Sequence, residues 1–392
     1  MEIPARESPE ANRSRLETLG DRRNRLANRP ALFRTDVSIA NKQLRFLARF
    51  LTVCLLLNRR EVLQKLVDRL KVLVEECKRV FQDSDFKEWK VVVEIGRFLK
   101  ADTAFMNVRP LRYSLVLDSH PDNLPHVPVA VVKRNLKLRD AVLSSFHHNE
   151  VKFSELTIDT FRMLQSLEWE PSGSFYQSSG SKLSQNGAAG TGRVSYLQDI
   201  ADPTLPANPR KAILYCPSLT HFVAVLATIC EELPLDGVLL VYLSASGAGS
   251  SGAGHNESGC LNFGSRGDKG SNCICPSDFL PFTRRPLLLV IDNENSKAFK
   301  VIAEATKGES VAMLLSPSRL PPIASDFSHS SNGSLFTMFL TAPLQSFCLL
   351  LRFPGTDIDL DLYNKAETLL SSSLNNWGMA LASSDTLDPV WG

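Results

Sequence analysis

The sequence predicts an α/β protein in which an N-terminal helical region precedes a doubly wound, mainly parallel sheet domain and a C-terminal helix. Apolar residues recur at helical spacing through the first hundred residues. Further along, short continuous apolar strands alternate with amphipathic helices, the pattern of βαβ units in a sheet covered on both faces. We therefore expect a mainly helical region with a small strand pair at 1–171, a disordered linker at 172–208, a sheet domain at 209–354 and a helical segment at 355–392.

The N-terminal region is assigned to helices because its apolar residues fall on one face at a period near 3.6. Three such stripes run through residues 41–57, 62–77 and 89–99. A strand pair is expected at 112–118 and 127–132. A further helix should begin at Ser154, whose hydroxyl is a typical N-cap, and end before Pro171. Residues 172–208 are rich in Ser, Gly and Gln and have too few apolar side chains to order themselves.

The sheet domain is assigned from apolar runs of strand length that are separated by helix-compatible segments. A long loop rich in Gly and Ser is expected at 246–277, and helices are expected at 217–233 and 297–306. The predicted strands cover residues 212–216, 238–243, 287–291, 311–315 and 335–340.

Composition is that of a globular protein and points to no large charged partner. Hydrophobic residues make up 43% of the chain and charged residues 22%, with a formal net charge of +2. This balance does not favour general binding to nucleic acid or to a membrane surface. Eight cysteines in 392 residues do not indicate a disulfide framework, and we expect a reducing, intracellular setting. The apolar run 338–351 is interrupted by Pro343 and Gln345, so we expect no membrane span there.

Two motifs in the Gly/Ser-rich loop can be tested against known chemistry. Gly247, Gly249 and Gly252 match G-x-G-x-x-G, but no helix-compatible segment follows to hold a pyrophosphate, so we interpret the match as accidental. The second candidate is a zinc site. Its ligands would be His255, Cys260, Cys273 and Cys275, whose spacing lacks the C-x2-C knuckle of structural zinc sites. We therefore predict no cofactor and no metal.

An alternative function remains at the ends of the predicted strands. Ser244, Asp292 and Ser316 follow three of them, at the edge where open α/β sheets hold ligands. A nucleotide-dependent or small-ligand enzyme would use these residues, although Asp292 is also placed to cap the next helix near Ser296. The dipeptide at 147–148 is read as a polar turn before a helix, and the Arg pair at 284–285 as part of a structural salt bridge. Because nothing else suggests catalysis, no catalytic residue is assigned.

Long stretches of the sequence resemble the SCAI family, named for suppressor of cancer cell invasion. The similarity runs in order from about residue 19 to 351. The stretches that carry it are LGDRRNRLANR, LRFLARFLTVCLLLNRREVL, NEVKFSELTIDTFRMLQSLEWEP, LPLDGVLLVYLSASG, DFLPFTRRPLLLVIDNENSKAFK and GSLFTMFLTAPLQSF.

The resemblance implies a nuclear transcriptional cofactor, with the cytoplasm as a second compartment, and not an enzyme. Family members act as corepressor-type scaffolds that bind myocardin-related transcription factors, dampen serum response factor output downstream of Rho signalling and influence cell migration. They are also linked to DNA repair through protein partners. The resemblance implies no catalytic residue and no cofactor. Some descriptions of the family include a membrane segment to which residues 338–351 would correspond, but the length of this run and Pro343 lead us to expect no span. We also expect no sequence-specific DNA binding, because the short basic cluster at 22–25 is not the phosphate-binding stripe of a DNA-binding domain. Relative to the family pattern, we expect a shortened form, with helical sequence missing near residues 30–42 and after residue 392.

Overall fold

The protein is described from a computed structural model, and its described residues fall into two compact units. The units are divided between Val92 and Val93. The described segments are residues 37–56, 60–81, 90–102, 136–167, 208–247, 259–264, 272–306, 311–318, 332–352 and 359–382. The predicted strand pair at 112–118 and 127–132 lies outside them, as do the Arg-rich N-terminus and nearly all of the predicted linker at 172–208.

The first unit contains two of the predicted helices, α1 (Val37–Leu56) and α2 (Arg60–Phe81). Their apolar stripes are buried where the two helices pack, with Leu44 and Leu51 of α1 and Leu70 of α2 fully inaccessible. The opposite face of α1 carries Phe46 and Phe50, whose rings stack at a centroid distance of 6.1 Å and are largely exposed. The helical periodicity therefore predicted both helices and the faces that pack.

The second unit is built on five parallel strands. In chain order these are β1 (Lys137–Phe146), β4 (Arg210–Leu214), β5 (Gly237–Gly247), β8 (Leu287–Asp292) and β9 (Val311–Leu315). Their spatial order is β4-β1-β5-β8-β9, and every neighbouring pair is parallel. Counted along the chain, this is the order 2-1-3-4-5 of flavodoxin-like doubly wound sheets. The predicted fold class, α/β with a mainly parallel sheet, is confirmed.

The strand β1 is not predicted by the pattern of apolar residues, and its residues were expected in the helical region. It lies in the middle of the sheet between β4 and β5. Its sequence, KLRDAVLSSF, does not read as a continuous apolar run. Asp140 is nevertheless buried, because the Arg210 guanidinium of the neighbouring strand contacts its carboxylate at 2.8 Å. The sheet thus takes strands from both sides of the residues expected to form the linker.

Helices cover both faces of the sheet, as a doubly wound fold requires. On one face, Met163 of α4 (Ile158–Ser166) packs against alternate side chains of β1 and β5, including Leu143 and Tyr242. On the other, α5 (Leu219–Glu232) and α6 (Lys300–Thr306) pack against the opposite set, which includes Val241. The helix α3 (Val91–Asp102) joins the first face by placing Phe98 against Phe161, with ring centroids 5.3 Å apart.

The start of α4 differs from the prediction. Residues after β1 form a small antiparallel pair, β2 (Lys152–Phe153) and β3 (Leu156–Thr157), and Ser154 lies in the turn between them with a positive φ of 57°. The helix is capped by Thr157 instead. Its hydroxyl accepts from the Thr160 backbone N–H at 3.1 Å, and the Thr160 hydroxyl accepts from the Thr157 N–H, which completes a capping box.

The region predicted as one Gly/Ser-rich loop contains an ordered hairpin in its described part. The strand β6 (Leu261–Asn262) pairs antiparallel with the end of β5 on one side and with β7 (Cys273–Ile274) on the other. This pairing brings Cys260 and Cys275 opposite each other with their Cα atoms 4.2 Å apart, and the two form a disulfide bond. The sequence spacing alone did not indicate this bond, because it depends on the antiparallel register.

The prediction of a fifth strand at 335–340 is wrong. Residues there form α7 (Leu335–Thr341), which Ser334 caps, and α8 (Pro343–Leu350) follows directly. A short apolar run is compatible with a buried helix as well as with a strand. The last helix, α9 (Leu360–Ala382), covers the region where a helical segment was expected. None of the described helices combines the length and the apolar character needed to cross a membrane.

Candidate functional site

A cavity of about 360 Å³ opens at the carboxyl ends of the parallel strands. Its wall is formed by residues that follow β1, β5, β8 and β9 and by the first turn of α7. This edge includes the point between β1 and β5 where the strand order reverses, which is the usual ligand position in doubly wound sheets. The three strand-end residues named from the sequence, Ser244, Asp292 and Ser316, are all brought to this edge and are all buried.

A chain of hydrogen bonds crosses the reversal point through Ser244. The Ser244 hydroxyl donates to Asp292 Oδ2 at 3.4 Å, and His147 Nε2 lies 2.9 Å from the same hydroxyl. The order along these contacts is therefore histidine, serine, aspartate, with the hydroxyl in the middle. A Ser-His-Asp hydrolase needs the reverse arrangement, with the histidine between the other two and accepting the serine proton. Ser244 also has no exposed surface, so it cannot meet a substrate.

The polar groups of Ser316 form hydrogen bonds with neighbouring residues, mainly with the main chain. Its hydroxyl donates to the Asn293 carbonyl at 2.8 Å and accepts from the Asn293 N–H at 2.9 Å. Its own carbonyl accepts from the Ser296 hydroxyl at 2.7 Å. Asn293 in turn donates from Nδ2 to the Ala245 carbonyl. These bonds join the ends of β5, β8 and β9, which is a structural role for Ser316.

Asp292 was expected to cap the helix after its strand, but its carboxylate contacts α7 instead. The Thr337 hydroxyl donates to Asp292 Oδ2 at 2.8 Å and lies 2.6 Å from the Tyr242 hydroxyl. The Ser296 hydroxyl, which was expected near such a cap, bonds to Ser316. Burial, together with the charges of Asp159 and Asp292, raises the pKa of Tyr242 well above its usual value, so the phenol stays protonated. Thr337 was missed in the sequence because α7 was assigned as a strand.

A buried ion pair holds the segment before α7 against α4. Both carboxylate oxygens of Asp159 accept from the Ser334 N–H at 3.0 Å, and Arg162 Nη1 donates to the Asn332 carbonyl at 2.5 Å. Asp159 and Arg162 themselves approach to 3.6 Å. Gly333 lies between them with φ +80°, and a Cβ there would collide with both side chains. Only glycine fits this position.

Glu150 is an acid near this edge whose pKa is strongly shifted. Its Oε2 accepts from the His147 backbone N–H at 2.9 Å, and its Oε1 is buried. Burial raises the pKa of Glu150 to about 8; the bond from His147 opposes the rise, and the charge of Asp159 adds to it. His147 was expected in a turn before a helix, but it lies at the end of a strand and contacts the sheet.

The other sequence candidates are not assembled into sites in the described residues. Of the three motif glycines only Gly247 is described, as the last residue of β5, and His255 lies outside the described segments. Cys260 and Cys275 are bonded to each other, so these two thiols are not paired zinc ligands. No group of three His, Cys, Asp or Glu side chains in the described segments is placed to hold a metal ion.

The Arg pair at 284–285 was assigned to a structural salt bridge. Among the ion pairs found between described residues, none includes Arg284 or Arg285. The structure therefore does not support that assignment within its described part.

The network at the sheet edge joins four of the stretches on which the family resemblance rests. Asp159 and Arg162 lie in VKFSELTIDTFRMLQ, and Asp292 lies in VIDNENS. Ser244 ends the strand in LPLDGVLLVYLSASG, and Thr337 belongs to GSLFTMFL. Polar residues that look isolated in the sequence are therefore parts of one buried structural cluster.

Comparison with known proteins supports the resemblance over nearly the whole chain. The family model for Protein SCAI matches residues 23–259 and 249–392. Protein SCAI of Homo sapiens and that of Mus musculus are each 36% identical over 330 residues, covering 78% of this chain and 51% of the relative. The Protein SCAI homolog of Dictyostelium discoideum is 34% identical over 158 residues, which is 33% of this chain and 20% of the relative.

No solved structure gives a significant match. The chain spans about half the length of the two mammalian relatives. The family model covers both units, and the mammalian identities extend over most of the chain. The chain therefore belongs to the SCAI family.

Proposed function

We propose that this chain is a nuclear transcriptional corepressor that works as a scaffold, by binding a transcription regulator and lowering its output. The observation that carries the proposal is membership of the SCAI family over nearly the full chain. The partner class follows from the family resemblance and consists of myocardin-related regulators of serum response factor. A further role with DNA-repair proteins is proposed on the same ground.

The chemistry of the sheet edge supports a scaffold over an enzyme. Ser244 is buried and lies between His147 and Asp292, whereas a serine nucleophile needs the histidine between the serine and the carboxylate. The Ser316 hydroxyl is used by the main chain of Asn293. Asp292 accepts from Thr337 and Ser244, which fixes α7 to the sheet. The three residues that an enzyme would use, Ser244, Asp292 and Ser316, thus have structural roles.

Direct binding is the test of the scaffold proposal. Purified full chain is titrated with the purified myocardin-related regulator of the same organism, and affinity is measured by calorimetry. We expect saturable binding that is unchanged in Ser244→Ala, because that hydroxyl lies inside the protein. Tyr242→Asp, which places a charge in the core of the sheet, serves as the unfolded control. Absence of binding by a folded wild-type chain would contradict the proposal.

A deletion of residues 149–171 would not serve as a binding-defective variant. This stretch contains β2, β3 and α4, and its Phe153 and Phe161 are completely buried. Removing it would expose the face of the sheet on which α4 packs, so a loss of binding would reflect unfolding and not the loss of a contact with the partner.

A further inference from the structure

The cavity at the carboxyl edge is formed by the fold itself, because four strand ends and one helix start converge there. Its volume of about 360 Å³ is at the lower end of the ~300–1,000 Å³ range of small-ligand pockets. This is room for one small group or one inserted side chain. The wall residues that matter for recognition are His147, Ser246, Asp292, Glu294, Leu335 and Phe336.

The charge of the wall is negative. Asp292 and Glu294 contribute carboxylates, and none of the wall residues that the structure describes is Lys or Arg. The nearest buried guanidinium, that of Arg162, lies behind Gly333 and pairs with Asp159. Flavodoxin-like sheets commonly bind phosphate groups at this edge, but these two carboxylates would repel a phosphate.

The cavity also has an apolar side. Leu335 and Phe336, in the first turn of α7, also line the cavity, and Phe336 is only partly buried. A ring in this position can pack along an aliphatic stem and attract a cation through its π face. A metal ion is a poor match, because no described group of three metal-ligating side chains is present. An organic cation on an apolar stem satisfies both sides of the cavity.

We propose that this cavity binds a single alkylammonium or guanidinium group, such as the end of a lysine or arginine side chain or a free amine. The apolar stem lies against Leu335 and Phe336, and the cation is drawn to Asp292 and Glu294. Glu294 is exposed at the rim, so it attracts the cation electrostatically from the entrance. The inference goes beyond corepression and does not depend on which regulator the chain binds.

The test uses the purified full chain and three defined probes measured by ligand-observed NMR. They are the peptide acetyl-Ala-Lys-Ala-amide, the same peptide with norleucine in place of lysine, and n-butylamine. We expect the lysine peptide to bind with a Kd of about 1 mM or below and the norleucine peptide to show no binding. Binding of butylamine as tight as that of the lysine peptide identifies a free amine as sufficient. Binding of the peptide alone identifies a protein side chain, and both results support the cation site.

Two variants at the cavity mouth and one control locate the binding. Glu294→Gln removes one exposed charge and should weaken the affinity for the lysine peptide roughly fivefold. Ser318→Trp fills the entrance from an exposed position and should abolish binding. Glu304→Gln makes the same charge change on the exposed side of α6, away from the cavity, and should leave affinity unchanged.

Equal binding of the lysine and norleucine peptides would overturn the inference. So would wild-type affinity in both Glu294→Gln and Ser318→Trp, or no binding of any probe at ~10 mM. If regulator binding persists while every amine probe fails, only the cation site is refuted and the proposed corepressor function stands.

Discussion

At the scale of single residues, the Thr337 hydroxyl is the central link of the buried network. It donates to Asp292 and lies within hydrogen-bond distance of the Tyr242 hydroxyl, and all three residues are at least nine-tenths buried. A polar group that loses its partner in such surroundings bears its full desolvation cost. Each bond of the network therefore contributes to holding α7 on the sheet.

Replacing Thr337 by valine should lower the free energy of unfolding by about 2–3 kcal/mol, because the nearly isosteric side chain leaves Asp292 and Tyr242 short of a partner. The matched control is Thr341→Val. The Thr341 hydroxyl only donates to the Thr337 carbonyl within the helix, so its loss should cost less than about 1 kcal/mol. Urea unfolding of both variants measures the difference. Equal effects would show that the network contributes no stability of its own.

Glu150 makes stability depend on pH in a defined direction. Its pKa is about 8 in the folded protein and near 4.5 when unfolded, so between these values the folded state holds a proton that the unfolded state has lost. Proton binding therefore favours the folded state. The contribution of Glu150 to the free energy of unfolding is fully present below about pH 4.5 and declines as the pH rises towards 8.

The substitution Glu150→Gln should remove this decline while its amide oxygen still accepts from the His147 N–H. As the pH rises from 5 to 8, the free energy of unfolding of the variant should increase by about 2–4 kcal/mol relative to that of wild type. Exposed Glu155→Gln makes the same charge change in the turn between β2 and β3 and should leave the slope unchanged. Denaturant melts at the two pH values provide the comparison. Parallel pH profiles for wild type and Glu150→Gln would refute the buried, protonated carboxyl.

At the scale of secondary-structure elements, the sequence predicted those strands that are continuously apolar. The cores of β5, β8 and β9 were located to within a few residues. β1 was missed because Asp140 and two serines interrupt its apolar run, and the compensating partner Arg210 is about seventy residues away. α7 was assigned as a strand because LFTMFL is short and apolar, although Ser334 before it was a recognisable cap. Long-range pairing decided the first case and local capping the second.

The corrected start of α4 gives an element-level prediction. Thr157→Ala removes the hydroxyl of the capping box and should destabilise the protein by about 1–2 kcal/mol. Ser154→Ala, at the position first expected to cap, should change stability by less than about 0.5 kcal/mol because that side chain is exposed in a turn. Thermal or urea unfolding distinguishes them. A larger loss in Ser154→Ala than in Thr157→Ala would place the helix start at the earlier residue.

At the scale of the whole molecule, parallel strands explain why the site could be predicted in part. Ser244, Asp292 and Ser316 were expected together because the carboxyl ends of parallel strands meet at one edge, and the structure places them there. Their partners His147 and Thr337 were not predicted, since they belong to the unrecognised strand and the misassigned helix. Without those partners the strand ends suggested catalysis. With them, the same residues form an internal structural network.

The most direct test of the corepressor account is a serum-response reporter in cells from which the endogenous family member has been depleted. Restoring the full chain should lower the induced signal, and Ser244→Ala should lower it equally, because the proposed mechanism is binding and not chemistry at the sheet edge. Immunoblotting and nuclear imaging confirm equal amounts and location of both proteins. A reporter that a folded, nuclear wild-type chain leaves unchanged would contradict the account, as would repression that is lost in Ser244→Ala while regulator binding persists.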